Sequence, residues 1–225
     1  MNILAIETAT PTCALGLRTS EGFELTWVVD EDRHHTEALT AAIARVLGEA
    51  RLTARDINRI VVDRGPGLFT GLRVGLATAL GLSEGTGCAL VGATSLELLA
   101  HGAHGANVRG TLLGAVDGRR GEVFVQVFRL DENVTPVSEP LVTTAREVAI
   151  EWATSGAPVI FTGDGVERYA RDFGAVPNGT LHPQTVPSVQ AALSLGARRE
   201  PVAHVEPMYL RDADAVANFS TRQRS

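Results

Sequence analysis

The amino-acid sequence predicts an α/β protein built from a duplicated unit. Short continuous runs of apolar residues, typical of buried strands, alternate with segments whose apolar residues recur every three or four positions, as in helices. Three predicted strands followed by a helix and a strand occur in the same order in both halves of the 225-residue chain. A chain of this length can form one large domain or two small ones.

The first half begins with three predicted strands. An apolar run at 1–6 ends in a polar turn, and a second apolar run covers 13–18. In the third strand, Leu25, Trp27 and Val29 alternate with polar or exposed positions. Because the connecting turns are short, we expect an antiparallel meander.

Helices and strands alternate after this meander, which predicts parallel pairing with right-handed crossovers. The predicted elements are a helix from Thr36 with an apolar stripe of Leu39, Ile43 and Leu47, a strand at 60–63, a glycine-rich helix capped by Thr70, a strand at 88–91 and a helix from 94 to 100.

Residues 101–109 are polar and rich in glycine, which predicts a linker between a first domain, 1–104, and a second domain, 105–225. The elements predicted in the second half are strands at 111–116, 122–130 and 134–138, a helix capped by Thr144, a strand at 158–161 and a helix at 186–197.

Composition excludes several functional classes. The net charge is −6 and all 20 basic residues other than histidine are arginine, so no basic field favours nucleic acid or anionic membranes. Arg73 and Glu84 interrupt the most apolar stretch, which therefore cannot span a membrane. Two cysteines in apolar runs and no signal peptide predict a cytoplasmic protein.

The glycine-rich helix carries two stripes. Leu72, Leu76 and Leu80 form an apolar stripe, and the small residues Gly67, Gly71, Gly75 and Ala79 form the other. Glycine within a helix costs about 1 kcal/mol relative to alanine, so we expect another backbone or helix to approach closely. Three interpretations remain open: a partner-binding helix, packing within the chain alone, and a nucleotide loop. The last lacks the P-loop lysine and the dinucleotide-binding glycine spacing.

Glu7 and Asp117 occupy matching positions, each just after the first strand of its half. Two carboxylates that face each other across a cleft could hold Mg²⁺ and orient phosphates. Glu7, Thr8 and Asp117 are therefore the candidate nucleotide-binding residues. Alternatively, Glu7 caps local N–H groups and Asp117 makes an Asp-Gly hairpin turn.

The histidines predict no metal site. His34 and His35 are adjacent, and His101 and His104 lie in the glycine-rich segment where no helix is expected to align them. No H-E-x-x-H or G-x-S-x-G motif occurs. We therefore expect neither a bound metal nor a catalytic residue.

Four stretches of the sequence resemble the signature segments of the TsaB (YeaZ) family: ILAIETAT at 3–10, RGPGLFTGLRVG at 64–75, DGRRGEVF at 117–124 and PMYLR at 207–211. Their order and spacing match along nearly the whole chain. The resemblance implies two ribonuclease-H-like domains of the actin/sugar-kinase/Hsp70-like fold, with mixed sheets flanked by helices.

The resemblance also implies a function. The family supplies the non-catalytic scaffold and dimerisation subunit that binds and activates TsaD, the catalytic subunit that makes threonylcarbamoyladenosine next to the anticodon of tRNA. The ATPase TsaE joins them, ATP is used by the complex, and tRNA is contacted only through the complex. Without TsaD, the subunit is expected to form a homodimer.

The family's partner interface uses helices of the first domain, here 36–50 and 70–83. The predicted interface residues are Leu39, Ile43, Gly71, Leu72, Gly75, Leu76 and Ala79. Gly75→Leu is accordingly expected to abolish TsaD binding without unfolding the chain.

The sequence departs from related patterns in two places. Glu7 stands where the fold usually has aspartate, and Ala93 and Glu97 stand where TsaD has two metal-binding histidines. The second departure implies no metal site of that kind. The alternative function is an actin-fold ATPase or phosphotransferase that acts on its own, motivated by the fold, Glu7 and Asp117.

Overall fold

A computed structural model describes residues 1–29 and 35–211. The first sheet consists of β1 (Ile3–Glu7), β2 (Cys13–Arg18), β3 (Glu24–Val29), β4 (Arg59–Asp63) and β5 (Ala89–Ala93). The strand order is β3-β2-β1-β4-β5. The first three strands pair antiparallel, whereas β4 lies parallel to β1 and β5 parallel to β4. The predicted meander and parallel pairing are therefore confirmed.

The second sheet consists of β6 (Gly110–Arg119), β7 (Glu122–Leu130), β8 (Val134–Pro136), β9 (Leu141–Thr144), β10 (Val159–Thr162) and β11 (Gly179–Leu181). Its order is β11-β10-β6-β7-β8, with β9 also pairing with β7. The β6-β7-β8 ladder is antiparallel and the β6-β10-β11 ladder parallel.

The two sheets thus share one topology. Without β9, the second sheet repeats the third-second-first-fourth-fifth strand order of the first. This duplication confirms the predicted α/β fold, with two mixed sheets of one topology flanked by helices.

Seven α-helices accompany the sheets in the described part of the chain. They are α1 (His35–Glu49), α2 (Phe69–Thr86), α3 (Ser95–Gly105), α4 (Ala145–Ser155), α5 (Asp164–Arg168), α6 (Ala170–Phe173) and α7 (Val189–Arg198). Thr94 and Thr144 cap α3 and α4, each with a glutamate that completes a capping box. The Thr144 cap was predicted.

Both faces of the first sheet are covered. Leu4 and Ile6 of β1 belong to the core cluster formed with α1 and α2. Ile3 and Ala5, which alternate with them, belong to the cluster formed with α7. This double burial explains why the first strand is a continuous apolar run.

The chain division at 104/105 does not coincide with the packing. It falls inside α3, whose Leu96 and Leu99 pack with Leu112 and Phe124 of the second sheet. Conversely, α7 comes from the second half and covers the first sheet. Residues 212–225 of the predicted second domain lie outside the described residues.

Several predicted local features were wrong. The expected linker at 101–109 is helical as far as Gly105, because Ala100 and Ala103 are buried in the second core. Thr70 does not cap α2, which begins at Phe69 after Leu68, a residue held by the bond from its N–H to the carbonyl of Ala9 (2.7 Å). The strand β9, the short helices α5 and α6, and the strand β11 were missed because three to five residues show too little periodicity.

Candidate functional site

A cleft of about 640 Å³ lies where three of the four signature segments meet. We call it the arginine cleft. Its lining comes from the loop before α2, the start of α2, the β6–β7 hairpin and the C-terminal segment that follows α7. The lining residues are Pro66, Gly67, Leu68, Phe69, Arg73, Asp117, Gly118, Arg119, Arg120, Phe124, Met208, Tyr209, Leu210 and Arg211.

Pro66, Gly67 and Leu68 of the loop before α2 line this cleft, and buried hydrogen bonds fix the loop. The carboxylate Oδ1 of Asp63 accepts bonds from the N–H of Gly65 and the hydroxyl of Ser95, both at 2.8 Å. The N–H of Met208 donates to the carbonyl of Arg64 (2.6 Å), which ties the C-terminal segment to the loop. Residues far apart in sequence are thereby brought to one site.

Two exposed aromatic rings lie at the start of α2 and in the C-terminal segment. The ring centroids of Phe69 and Tyr209 are 5.3 Å apart. The guanidinium of Arg73, one helical turn after Phe69, lies 3.8 Å from the Phe69 ring centroid. These three side chains make one wall that is both aromatic and cationic.

Asp117 also lines the cleft, near the end of β6. Its carboxylate forms ion pairs with Arg119 (3.2 Å) and Arg168 (3.6 Å), and it accepts a bond from the N–H of Arg119. Asp164 accepts a bond from the N–H of Asp117 (3.0 Å). Burial raises the pKa of Asp164 to about 6, with a smaller contribution from the Asp117 charge. Asp117 therefore fixes the end of β6 next to the hairpin. The Asp-Gly turn of the alternative interpretation is not formed, because Asp117 and Gly118 lie within β6 and the two residues between the strands are Arg120 and Gly121.

Glu7 and Thr8 are not among the residues that line the arginine cleft. Glu7 is buried, and its Oε1 accepts bonds from the N–H groups of Ala9 (2.8 Å) and Thr10 (3.1 Å). Burial, followed by the charge of Asp63, raises the pKa of Glu7 well above its ordinary value. The Thr8 hydroxyl donates to the carbonyl of Gly71 (2.9 Å). Glu7 therefore caps the turn after β1, as its alternative interpretation predicted.

The predicted partner-interface residues are all buried within the protomer: Leu39, Ile43, Gly71, Leu72, Gly75, Leu76 and Ala79. A Cβ added to Gly71 would overlap the carbonyl oxygen of Thr8, and one added to Gly75 would overlap the Thr8 hydroxyl. Gly67 lies equally close to Ala9. We call Gly67, Gly71 and Gly75 the inward glycine face. The close approach was predicted correctly, but the neighbour is the chain's own β1–β2 turn and not a partner.

A different set of small residues faces outward from the same two helices. Ala41, Ala44 and Gly48 of α1 and Ala77, Gly81 and Gly85 of α2 are exposed. We call these six the outward small-residue face. A Cβ added to Gly48, Gly81 or Gly85 would have no neighbouring heavy atom within 4 Å. Glycine and alanine periodicity in the sequence could have identified this face, but the apolar stripe beside the inward face gave a stronger signal.

The described histidines do not converge. The Nε2 of His104 is 3.0 Å from the carbonyl of Asp131, and burial lowers the pKa of His101. No group of three histidine, cysteine, aspartate or glutamate side chains suitable for a metal ion occurs among residues 1–29 and 35–211. His34 lies outside these residues.

Comparisons with known proteins place the chain in a family. The family model "TsaD: tRNA N6-adenosine threonylcarbamoyltransferase" matches residues 30–181. The "tRNA threonylcarbamoyladenosine biosynthesis protein TsaB" of Escherichia coli is 31% identical over 94% of this chain and 95% of the relative. The protein of that name from Bacillus subtilis is 27% identical over 100% of both chains.

A solved structure agrees with these relatives. YeaZ from Pseudomonas aeruginosa superposes with a TM-score of 0.79 at 26% identity, covering 93% of this chain and 99% of that chain. None of the helices in the described part of the chain has the length and apolar character needed to cross a membrane. The full-length match to named relatives, the shared structure and the convergence of the signature segments agree: the chain belongs to the TsaB family.

Proposed function

We propose that this chain is the non-catalytic scaffold and dimerisation subunit of the machinery that makes threonylcarbamoyladenosine next to the anticodon of tRNA. It binds and activates the catalytic subunit TsaD. TsaE joins the complex, which uses ATP, and tRNA contacts this chain only through the complex. Without TsaD the chain forms a homodimer. The complex works in the cytoplasm.

The outward small-residue face is the observation that carries this proposal. Gly81 lies inside an α-helix, where glycine destabilises the helix by about 1 kcal/mol relative to alanine. No packing within the described chain compensates for this cost, because an added Cβ would meet open space. A second helix that packs against Ala77, Gly81 and Gly85 would bring two backbones together at small side chains and bury the face.

The neighbouring helix enlarges this surface. α1 and α2 contact each other and share the core cluster on one face of the first sheet. Ala41, Ala44 and Gly48 therefore extend the outward small-residue face across two adjacent helices. A stable interface buries a large area, and two adjacent helices provide more of that area than a single helix.

The comparisons support TsaD as the partner. The TsaD family model matches residues 30–181, a range that contains both α1 and α2. Two chains that are alike in this region can pair as near-symmetric copies, with the same helical face contributed from each side. The same geometry permits self-pairing when TsaD is absent.

The positions of the two candidate carboxylates support a non-catalytic role. An ATPase or phosphotransferase of the alternative kind would use Glu7 and Asp117 together on magnesium and phosphate. Glu7 instead accepts bonds from the turn after β1 and does not line the cleft, while Asp117 is paired with Arg119 and Arg168. Neither arrangement resembles a pair of carboxylates open to a metal ion.

The test is size-exclusion chromatography with light scattering, on this chain alone and mixed with TsaD. Gly81→Leu should abolish co-elution with TsaD and shift the isolated chain from dimer to monomer, with an unchanged circular dichroism spectrum. The matched control is Gly105→Leu, at the end of α3, where an added Cβ also meets open space. It should leave both assemblies intact.

Equal co-elution of the Gly81→Leu and wild-type chains would contradict the proposed surface. A phosphate-release assay on the isolated chain addresses the activity separately. Turnover of ATP above the level of a buffer control would favour the ATPase alternative over the scaffold.

A further inference from the structure

The ends of β1 and β4 bring two carboxyl groups together in the core. The two strands pair in parallel, with Ile6 opposite Val62. Glu7 and Asp63 are the next residues of the two strands, so their side chains lie at neighbouring positions on the same face of the first sheet. Glu7 is 0% and Asp63 1% exposed. Two acidic side chains are therefore buried side by side.

One oxygen atom of Asp63 has no hydrogen-bond donor. Its Oδ1 accepts bonds from the N–H of Gly65 and the hydroxyl of Ser95, whereas Oδ2 is buried without a partner in the described chain. No other buried side-chain nitrogen or oxygen of the described residues is in this state. Because buried polar atoms are almost always hydrogen-bonded, Oδ2 requires a donor or must itself carry a proton.

Glu7 has a similar oxygen atom. Its Oε1 accepts bonds from the N–H groups of Ala9 and Thr10, whereas Oε2 has only the hydroxyl of Thr10, at 3.3 Å. That hydroxyl has a single proton and lies closer to the carbonyl of Thr12, at 3.1 Å. Each of the two neighbouring carboxyl groups thus keeps one oxygen that no protein group reliably satisfies.

No cationic side chain neutralises the pair. Neither Glu7 nor Asp63 forms an ion pair with another residue of 1–29 or 35–211. Arg64 follows Asp63 directly, but its guanidinium donates to the carbonyl of Glu206 (3.4 Å). Two ionised carboxylates would therefore repel each other in the core without a counter-charge.

The other ionisable groups around the pair do not change this balance. Cys13 of β2 stays neutral, because burial and the charge of Glu7 raise the pKa of its thiol to about 12. Glu97 of α3 is already paired with Arg199, at 3.1 Å. β5, which lies beside β4, has no ionisable side chain. A proton is the simplest species that can satisfy both free oxygens.

We propose that Glu7 and Asp63 share one proton at neutral pH and that this proton joins the turn after β1 to the loop before α2. The acid form of one side chain donates to the free oxygen of the other, because two carboxylates in one site cannot both ionise easily. Glu7 holds the turn through Ala9 and Thr10, and Asp63 holds the loop through Gly65. We call this shared proton the carboxyl latch.

The carboxyl latch controls one side of the arginine cleft. The turn and the loop meet again where the N–H of Leu68 donates to the carbonyl of Ala9 (2.7 Å), at the start of α2. Pro66, Gly67 and Leu68 of this loop line the cleft. Loss of the proton leaves two like charges between the turn and the loop, so the bond from Leu68 to Ala9 should open more often. The latch does not depend on the proposed partner surface.

The direction of the pH effect follows from burial. Burial raises the pKa of Asp63 to about 7, and burial followed by the charge of Asp63 raises the pKa of Glu7 well above its ordinary value. Both groups therefore hold protons in the folded chain that the unfolded chain has already lost. The latch is closed at low pH and opens as the pH rises through this range.

Carboxyl ¹³C chemical shifts of the full chain test whether the proton is shared. A titration from about pH 4 to pH 9 covers ordinary carboxyl groups and the raised pKa values of the pair. We expect Glu7 and Asp63 to titrate together, with one proton between them at neutral pH. Ordinary, independent titration of both groups near pH 4 would overturn the proposal. A shift of either signal on addition of MgCl₂ or CaCl₂ at constant ionic strength would assign the free oxygens to a cation and also overturn it.

Hydrogen exchange of the Leu68 amide measures the latch itself. Between about pH 6 and pH 8 we expect its protection factor to fall about 10-fold, the equivalent of one pKa unit. The amide should also be less protected than that of Leu113 in β6, because the opening is local. Equal protection of the two amides would mean that both exchange through global unfolding, and this result would overturn the latch.

Amide variants separate the shared proton from a purely structural role. In Asp63→Asn the side-chain N–H takes the place of the proton, while Oδ1 can keep its bonds to Gly65 and Ser95. Glu7→Gln makes the reciprocal change. Each variant should remove the repulsion and keep the protection of Leu68 nearly constant over this pH range. A wild-type fall in both variants would overturn the proposal.

The matched control is Asp164→Asn. It removes another carboxyl group whose pKa burial raises, to about 6, but which lies in α5 and accepts its bond from the N–H of Asp117. The Leu68 amide should show the wild-type fall in this variant. A loss of pH dependence equal to that of Asp63→Asn would show that the effect does not come from the Glu7–Asp63 pair.

Discussion

The two glycine-containing faces of α2 show the same spacing and opposite surroundings. Gly71 and Gly75 lie against Thr8, where even a methyl group would overlap an oxygen atom. Gly81 and Gly85, also four residues apart, have open space around them. The comparison teaches that glycine spacing in a helix indicates close approach without identifying the neighbour that approaches.

At the inward glycine face, contacts within the chain offset the destabilisation of the helix by glycine. The outward small-residue face has no such contacts within the described chain. Because Gly71 and Gly75 have no side chains, α2 can lie directly against the turn after β1. The Thr8 hydroxyl donates a hydrogen bond to the carbonyl of Gly71. Glu7 holds that turn through its bonds to Ala9 and Thr10. No contact within the described chain offsets the destabilisation of the helix by Gly81, and for this reason we assign a partner to the outward small-residue face.

The largest effect is expected from Gly71→Ala. Its methyl group would overlap the backbone carbonyl of Thr8. Because Thr8 directly follows β1, this carbonyl cannot move without disturbing the end of the first sheet. We expect a loss of about 3 kcal/mol in the free energy of unfolding, measured by urea denaturation. The matched control Gly81→Ala should instead stabilise the isolated chain by about 0.5–1 kcal/mol. Equal stabilities of the two variants would remove the distinction between the faces.

The next effect concerns the buried carboxyl group that fixes the loop before α2. Burial raises the pKa of Asp63 from 3.8 to about 7, so between these values the folded chain holds a proton that the unfolded chain has lost. Stability from this group is therefore complete at low pH and decreases as the pH rises through this window. We expect Asp63→Asn to reduce the fall in unfolding free energy between pH 5 and 7 by about 2 kcal/mol.

Urea titrations at pH 5, 6 and 7 measure this slope. Glu7, whose pKa is also raised, remains in the variant and keeps part of the pH dependence. The control Asp56→Asn removes an exposed carboxylate whose pKa is lowered by bonds from Thr53, so it should leave the slope over this range unchanged. An Asp63→Asn slope equal to that of the wild type would show that this carboxyl titrates normally in the folded chain.

The smallest effect is a coupling between Thr8 and Gly75. Gly75→Ala alone should destabilise because its methyl group would overlap the Thr8 hydroxyl. In the Thr8→Ala background that oxygen is gone and the next atoms are 3.5 Å or more away, so part of the loss should be recovered. A double-mutant cycle should give a coupling of about 1 kcal/mol. Additive losses would mean that Gly75 is required for another reason.

The sequence predicted most of the elements for reasons visible in single segments. The apolar run at β1 reflects burial on both faces of the first sheet. The alternation in β3 reflects burial on one face only. The capping box of Thr144 and Glu147 is a local hydrogen-bond pattern and was equally visible. The capping prediction for Thr70 failed because a distant bond from Leu68 to Ala9 fixes the start of α2.

The candidate site was predicted less well. Asp117 lines the cleft, whereas Glu7 is buried and does not line it. Glu7 was matched to Asp117 by its position in the duplicated unit, and that position says nothing about burial. Phe69 and Tyr209 were missed because no periodicity links residues so far apart. Both lie in signature segments, and that membership was the one available signal for them.

The sequence by itself determined the duplicated order of strands and helices, the family and the presence of a helix that must be closely approached. These properties depend on local periodicity and on residue types that can be recognised one segment at a time. Only the tertiary structure decided that Thr8 fills the inward glycine face, that α3 and α7 each pack on the other half's sheet and that arginines from distant segments share one cleft. Such contacts are set by how the sheets and helices pack, because residues far apart in the chain meet only after that packing is complete.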